Sequence, residues 1–303
     1  MAVIRKKIMG PPGTGKTHRL VHHYLNEEIN NLHTDPQKIA YVTFTKAAAL
    51  DGSKKVQDVF PGVELLYIST LHAMGTRELD ISRKQILTGT KWIQFKNVYP
   101  VYSDINFDSY VNEHGVTINQ DRNLQVINYS RAKLITLERA CIDLNYHEGA
   151  VDIFRVQQLE RDIEYYKGQK NMYEFSDMIK LFVDEEKHLA LDAIFLDEAQ
   201  DLNPSQWKMF FYIEALCKRS YIAGDDDQTI FKFQGAESNI FIDLEGERDD
   251  QEQSYRVPKA VHEQALKILP HITKRVDKQW YAKEEEGEFI ENCFLEEIDF
   301  NEG

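Results

Sequence analysis

With 303 residues, 42% of them hydrophobic, the chain is long enough for two domains with buried cores, and its composition excludes a disordered or fibrous protein. A formal charge of −14 excludes a protein that coats nucleic acid with a broad basic surface, because phosphate neutralisation by Lys and Arg supplies most non-specific affinity; a narrow groove stays open. No run approaches the roughly 18 apolar residues of a membrane span, the start MAVIRKKIMG lacks an apolar signal region, and Cys141, Cys217 and Cys293 are too scattered for a disulfide framework or a zinc site, so a cytoplasmic protein is expected.

In chain order, a basic-apolar strand over Val3 to Met9 leads through a Gly-rich loop into a helix over Leu20 to Ile29 and then the strand IAYVTF, Ile39 to Phe44. This is the opening of a βαβ unit. YIST (Tyr67 to Thr70) reads as another strand, and the stretch from about Leu79 to Lys170, with helical spacing as in YSRAKLITLERACIDL, reads as an inserted, mainly helical domain. Parallel-sheet strands resume with AIFLDE (Ala193 to Glu198) and SYIAGD (Ser220 to Asp225), short apolar runs that end in carboxylates. The acidic stretch from Lys283 to Gly303 reads as a solvated tail or outer strand. The expected fold is therefore α/β, a parallel sheet flanked by helices. Residues 1–78 and 171–246 form its core, 79–170 the insertion, and 247–303 the start of a second domain too short to be complete.

GPPGTGKT matches G-x-x-x-x-G-K-[ST] between a strand and a helix, which makes the fold a P-loop NTPase. Gly10, Gly13, Thr14 and Gly15 let backbone N–H groups turn inward around phosphates, and the following helix adds the positive end of its dipole. Lys16 is expected to reach the β and γ phosphates and Thr17 to ligate Mg²⁺. Such a loop needs carboxylates at the end of a neighbouring strand, and IFLDEAQD supplies them: Asp197 to hold Mg²⁺, Glu198 to polarise the attacking water.

DEAQD followed by GDDDQTIFKFQGA (Gly224 to Ala236) resembles motifs II and III of superfamily 1 DNA helicases of the UvrD/Rep/PcrA type. TFTKAAA (Thr43 to Ala49), STLHA (Ser69 to Ala73), YEFSDMI (Tyr173 to Ile179) and SYRVP (Ser254 to Pro258) are similar to that family's motif Ia, motif Ib, the segment before motif II, and motif IV. The resemblance implies a RecA-like core, ATP and Mg²⁺ as cofactors, single-stranded DNA as partner, and replication or repair proteins as further partners. It also implies roles. Gln228 senses the γ-phosphate, Tyr255 stacks on adenine, Arg256 is an arginine finger, Phe44, Phe231 and Phe233 stack on bases, and Lys46 and His72 approach the DNA.

Gln234 stands where the family has an arginine, Lys46 where it has an asparagine, and nothing upstream of Gly10 matches the glutamine motif that reads adenine in many relatives. No counterpart of motifs V and VI is found. The reading is a DNA-dependent ATPase or helicase, an incomplete motor that binds ATP and turns it over slowly because Arg256 lies on a fragment. The rival from another class is a non-motor ATP-binding switch that retains only the first helicase domain; an ATPase of AAA+ type explains GPPGTGKT but not the other segments.

Overall fold

The computed structural model describes residues 3–111, 117–119, 121–146 and 149–290. Cys293 and the end of the acidic stretch lie outside them. Strand β1 (Ile4–Met9) gives way at the Gly-rich loop to helix α1 (Lys16–His18), which continues in wider π-helical turns through Arg19–Leu25 and Glu27–Asn31. β2 (Ile39–Thr43), α2 (Lys46–Val59), β3 (Tyr67–Thr70) and α3 (Leu71–Glu78) follow. Next come α4 (Thr90–Val98), the antiparallel pair β4 (Ser109–Val111) and β5 (Thr117–Asn119), then α5 (Arg122–Lys133), α6 (Leu137–Asp143) and α7 (Ile153–Lys170). The chain then forms α8 (Phe175–Asp184), β6 (Ala193–Asp197), α9 (Pro204–Glu214), β7 (Arg219–Gly224), α10 (Ser238–Asp243), β8 (Glu247–Asp250) and α11 (Lys259–Ile268).

Six strands form one parallel sheet in the order β3-β2-β6-β7-β1-β8. Every residue of β2 and β6 is buried, as apolar runs must be when helices cover both faces. Alternate side chains feed two cores. Ala40, Val42, Ile194 and Leu196 pack toward α3, α8, α9 and α10, while Ile39, Tyr41, Ala193 and Phe195 pack toward α2 and the helix that follows the loop. That helix is pinned to β7 through Glu28, fully buried, which accepts hydrogen bonds from Tyr221 (2.7 Å), Thr34 (2.5 Å) and Arg219 (2.8 Å).

Each basic residue of β1 has a partner. Arg5 pairs with Glu214 at 2.5 Å, Lys6 with Glu247 at 2.5 Å, and the buried Lys7 donates to the Ile242 carbonyl at 2.9 Å. Burial, with Arg248 nearby, pushes the Lys7 amine down to about 8. β8 extends the same sheet, with Lys6↔Glu247 through Met9↔Asp250 in register. The boundary expected before Glu247 therefore falls at a strand hydrogen-bonded to β1.

Residues between Leu87 and Tyr166 have a core of their own, built around Phe95, Tyr102, Ile127 and Ile163. Charged side chains fasten this unit to α8: Glu174, at its start, accepts from Arg131 of α5 at 2.6 Å and Lys167 of α7 at 3.0 Å. Burial works against the Glu174 carboxylate, but Arg131 and Lys167 prevail and hold it below its ordinary range. No helix among the described residues is long and apolar enough to cross a membrane.

Candidate nucleotide and nucleic-acid site

β1 ends at Met9 and the chain turns through Gly13 (φ 74°) and Gly15 (φ 85°), left-handed conformations that favour glycine. Gly13 is doubly constrained, because a Cβ there would stand 2.7 Å from Arg256 Cβ and from Ser254 Oγ. Thr14 closes the loop on itself by donating to the Pro11 carbonyl at 2.8 Å. The Lys16 ammonium lies across the loop, donating to the carbonyls of Gly10 (2.8 Å) and Pro11 (3.3 Å).

Opposite stand the carboxylates at the end of β6. Asp197, 5% exposed, accepts from Thr17 Oγ1 at 2.7 Å and, through the same Oδ2, from the Tyr41 hydroxyl at 2.7 Å. Burial first, then the adjacent Asp197 charge, push the Glu198 carboxyl above its ordinary range, while Lys16 and Arg256 pull the other way. Gln200 Nε2 donates to Glu198 Oε2 at 2.9 Å, and Gln200 Oε1 accepts from the Asp225 backbone N–H at 2.9 Å. Asp225 in turn accepts from the side chain of Gln228. The two strand ends are thus joined atom by atom.

Asp225, Asp226 and Asp227 lie close enough together to share a cation, and one is already there: the Lys278 ammonium, its side chain 1% exposed, sits 3.0 Å from Asp225, 2.9 Å from Asp227 and also against Asp226. Arg275 makes a bidentate pair with Asp227 at 2.9 Å. Burial opposes ionisation of Asp227, but the hydrogen bonds from Arg275 and Lys278 win and hold its carboxyl below the usual range.

The segment after β8 folds back onto the phosphate loop. Gln251 N–H donates to Met9 O (2.6 Å), Ser254 Oγ to Pro12 O (2.9 Å) and Tyr255 N–H to Gly13 O (2.9 Å). Tyr255 is 76% exposed. Arg256 follows beside the loop.

A row of aromatics runs from the end of β2. Phe44 and Phe231 have ring centroids 5.0 Å apart, Phe231 and Phe233 6.2 Å apart. Phe233 is 52% exposed, but Phe231 is 4% exposed, so the sequence expectation of a base-stacking Phe231 needs correcting: it is enclosed and supports its neighbours. Lys46 is exposed at the start of α2, whose N-cap Thr45 accepts from Ala48 N–H at 3.1 Å. His72 and Phe233 line a cavity of about 530 Å³ with Trp92, Tyr129, Glu174 and Asn203. Burial pushes the His72 imidazole down to about 4.

Sequence reasoning missed Gln200, Tyr41, Arg275 and Lys278. Gln200 could have been found, since it lies inside DEAQD; the others carry no local signal.

The model for the UvrD/REP helicase N-terminal domain matches residues 5–249. Among similar proteins, the ATP-dependent DNA helicase PcrA of Bacillus subtilis (strain 168) is 26% identical over 98% of this chain and 41% of its own length. That of Leuconostoc citreum is 23% identical over 93% and 39%, and that of Staphylococcus aureus (strain Mu50 / ATCC 700699) 25% identical over 93% and 40%. The chain thus spans about two fifths of the length of these relatives. With the phosphate loop, the Asp197–Glu198 pair and the Asp225–Gln228 segment in that order on a parallel sheet, the chain belongs to the UvrD/REP helicase family, as its N-terminal domain.

Proposed function

We propose that the chain is the ATP-binding half of a motor that hydrolyses ATP to move along single-stranded DNA. The observation that carries this reading is the hydrogen-bonded path from Glu198 through Gln200 to Asp225 and Gln228, which ends a few residues before Phe231 and Phe233. Chemistry at the γ-phosphate and grip on a base would share one short segment.

Lys16 supplies charge to the β and γ phosphates. Thr17 and Asp197 would hold Mg²⁺, a role their all-oxygen donor set and 2.7 Å contact fit; the ion, when bound, neutralises phosphate charge. Glu198 orients the attacking water and takes its proton, helped by a carboxyl more basic than usual. Gln228 senses the γ-phosphate, and Arg256 stabilises charge on the transferring phosphoryl group. The exposed ring of Tyr255 stacks on adenine.

Phe233 and the half-buried Phe44 offer faces to bases, Lys46 offers a cation to a phosphate, and His72 a hydrogen bond at the cavity wall. Residues 1–78 and 171–246 would act as the motor core, with 79–170 as an insertion beside the DNA and replication or repair proteins as partners. Steady-state ATPase of this chain with and without single-stranded DNA tests the reading. Stimulation by DNA supports the motor; ATP binding with no stimulated turnover favours the non-motor switch.

A further inference from the structure

Tyr41 belongs to no nucleotide-binding motif, yet it touches the centre of the site. It lies in β2, in register with Phe195 of β6, and is fully buried. A tyrosine in a central strand needs room for its ring and an acceptor for its hydroxyl. Particular residues meet both needs. The ring lies under α2 at Gly52, where a Cβ would stand 2.8 Å from Tyr41 Cε1, so a glycine in mid-helix, unfavourable for the helix itself, makes the space. The hydroxyl then reaches Asp197 Oδ2 at 2.7 Å.

Asp197 Oδ2 also accepts from Thr17, and Asp197 Oδ1 from the Glu198 N–H at 3.0 Å. Thr17 is itself expected to turn to the metal, so its hydrogen bond cannot be all that aims the carboxylate. Tyr41, fully buried, is free to hold it throughout.

We propose that Tyr41 is a positioning residue that orients Asp197 for Mg²⁺, with Gly52 as the residue that admits its ring. The proposal rests on Asp197 being the metal ligand, as assigned above. Partners that orient a metal ligand typically change metal affinity by about 10–100-fold when removed.

The test uses the full chain and a fluorescent, non-hydrolysable ATP analogue, titrated with Mg²⁺, and does not depend on turnover. Tyr41→Phe, which keeps the ring, should raise the half-saturating Mg²⁺ concentration about 10-fold, leave analogue binding in EDTA unchanged, and leave the melting temperature close to the parent's. Gly52→Ala, which crowds the ring, should raise the Mg²⁺ requirement in the parent and add nothing in the Tyr41→Phe background. Equal loss of analogue binding with and without Mg²⁺ would mean that Tyr41 only packs, and overturns the proposal. Asp197→Asn separates the two assignments. If it leaves the Mg²⁺ requirement at the parent's value, the metal site itself is wrong and this role falls with it; if it shifts the requirement while Tyr41→Phe does not, only the role of Tyr41 is refuted.

Discussion

Glu198 adopts φ 55°, a left-handed backbone rare for a residue with a side chain and costly enough to need support from its surroundings. The hydrogen bond from Gln200 and the fields of Lys16 and Arg256 hold its carboxyl where the strand end alone would not. Glu198→Gln should therefore preserve ATP binding and stop hydrolysis, whereas Lys16→Ala should abolish tight binding; nucleotide titrations that find both equally defective in binding would remove Glu198 from its role. Because the Glu198 carboxyl is raised and must be ionised to act as a base, turnover should fall on acidification before an ordinary carboxylate would protonate.

Next to it, burial and then Glu198 push the Asp201 carboxyl up to about 8. A pKa raised on folding gives stability that is complete below the unfolded value of about 3.9 and is lost as pH rises toward 8. Asp201→Asn should flatten that loss and raise the melting temperature at pH 8, by about 2–4 °C for each kcal/mol recovered; thermal melts across pH that keep the parent's slope would contradict it. Lys16, Thr17 and Asp197 were legible as candidates because phosphate and metal chemistry would fix both residue type and spacing, and the structure brings Thr17 and Asp197 together. Gln200 stood inside DEAQD and so could have been singled out, but its bridging role could not, since an amide at a strand end reads the same whether it faces solvent or bridges two strands.

At the scale of elements, the turn after β7 carries two aromatics with different work. Phe233→Ala should weaken single-stranded DNA binding by about 1–3 kcal/mol with little dependence on base sequence and leave the melting temperature nearly unchanged. Phe231→Ala should instead cost stability, about 3–5 kcal/mol for a buried phenylalanine. Oligonucleotide titrations and denaturant melts on both variants separate them, and equal melting behaviour would undo the division. The central strands β2, β6 and β7 were readable as apolar runs because burial on both faces leaves no other composition. β8, with the sequence ERDD, was not: an edge strand needs only one neighbour, and its largely exposed side chains carry no apolar signal. The aromatic row was readable as a set of residues but not in depth, because the sequence does not say which ring lies beneath.

Over the whole molecule, the segment that holds Arg275 and Lys278 reaches back across the chain to clamp three aspartates, and sequence separation hid it completely. Lys278→Ala would leave buried charge uncompensated and should cost roughly 3–5 kcal/mol. Asp226→Asn in the same chain should return part of it; denaturant melts showing no rescue would mean that the lysine acts by packing. The expectation of slow turnover rests on Arg256 standing on a short fragment and on no counterpart of motif VI being found; the Arg256 segment itself is hydrogen-bonded to the phosphate loop. Arg256→Ala should therefore lower kcat while sparing nucleotide affinity, and an arginine finger typically contributes about 10³–10⁵ in rate; a variant with the parent's kcat would exclude it from the chemistry. The contacts of Ser254 and Tyr255 with Pro12 and Gly13 carry one more consequence. On the proposed reading, a segment tied to the loop in this way would hold Arg256 beside the phosphates, and an opening that exchanges nucleotide would pivot downstream of it.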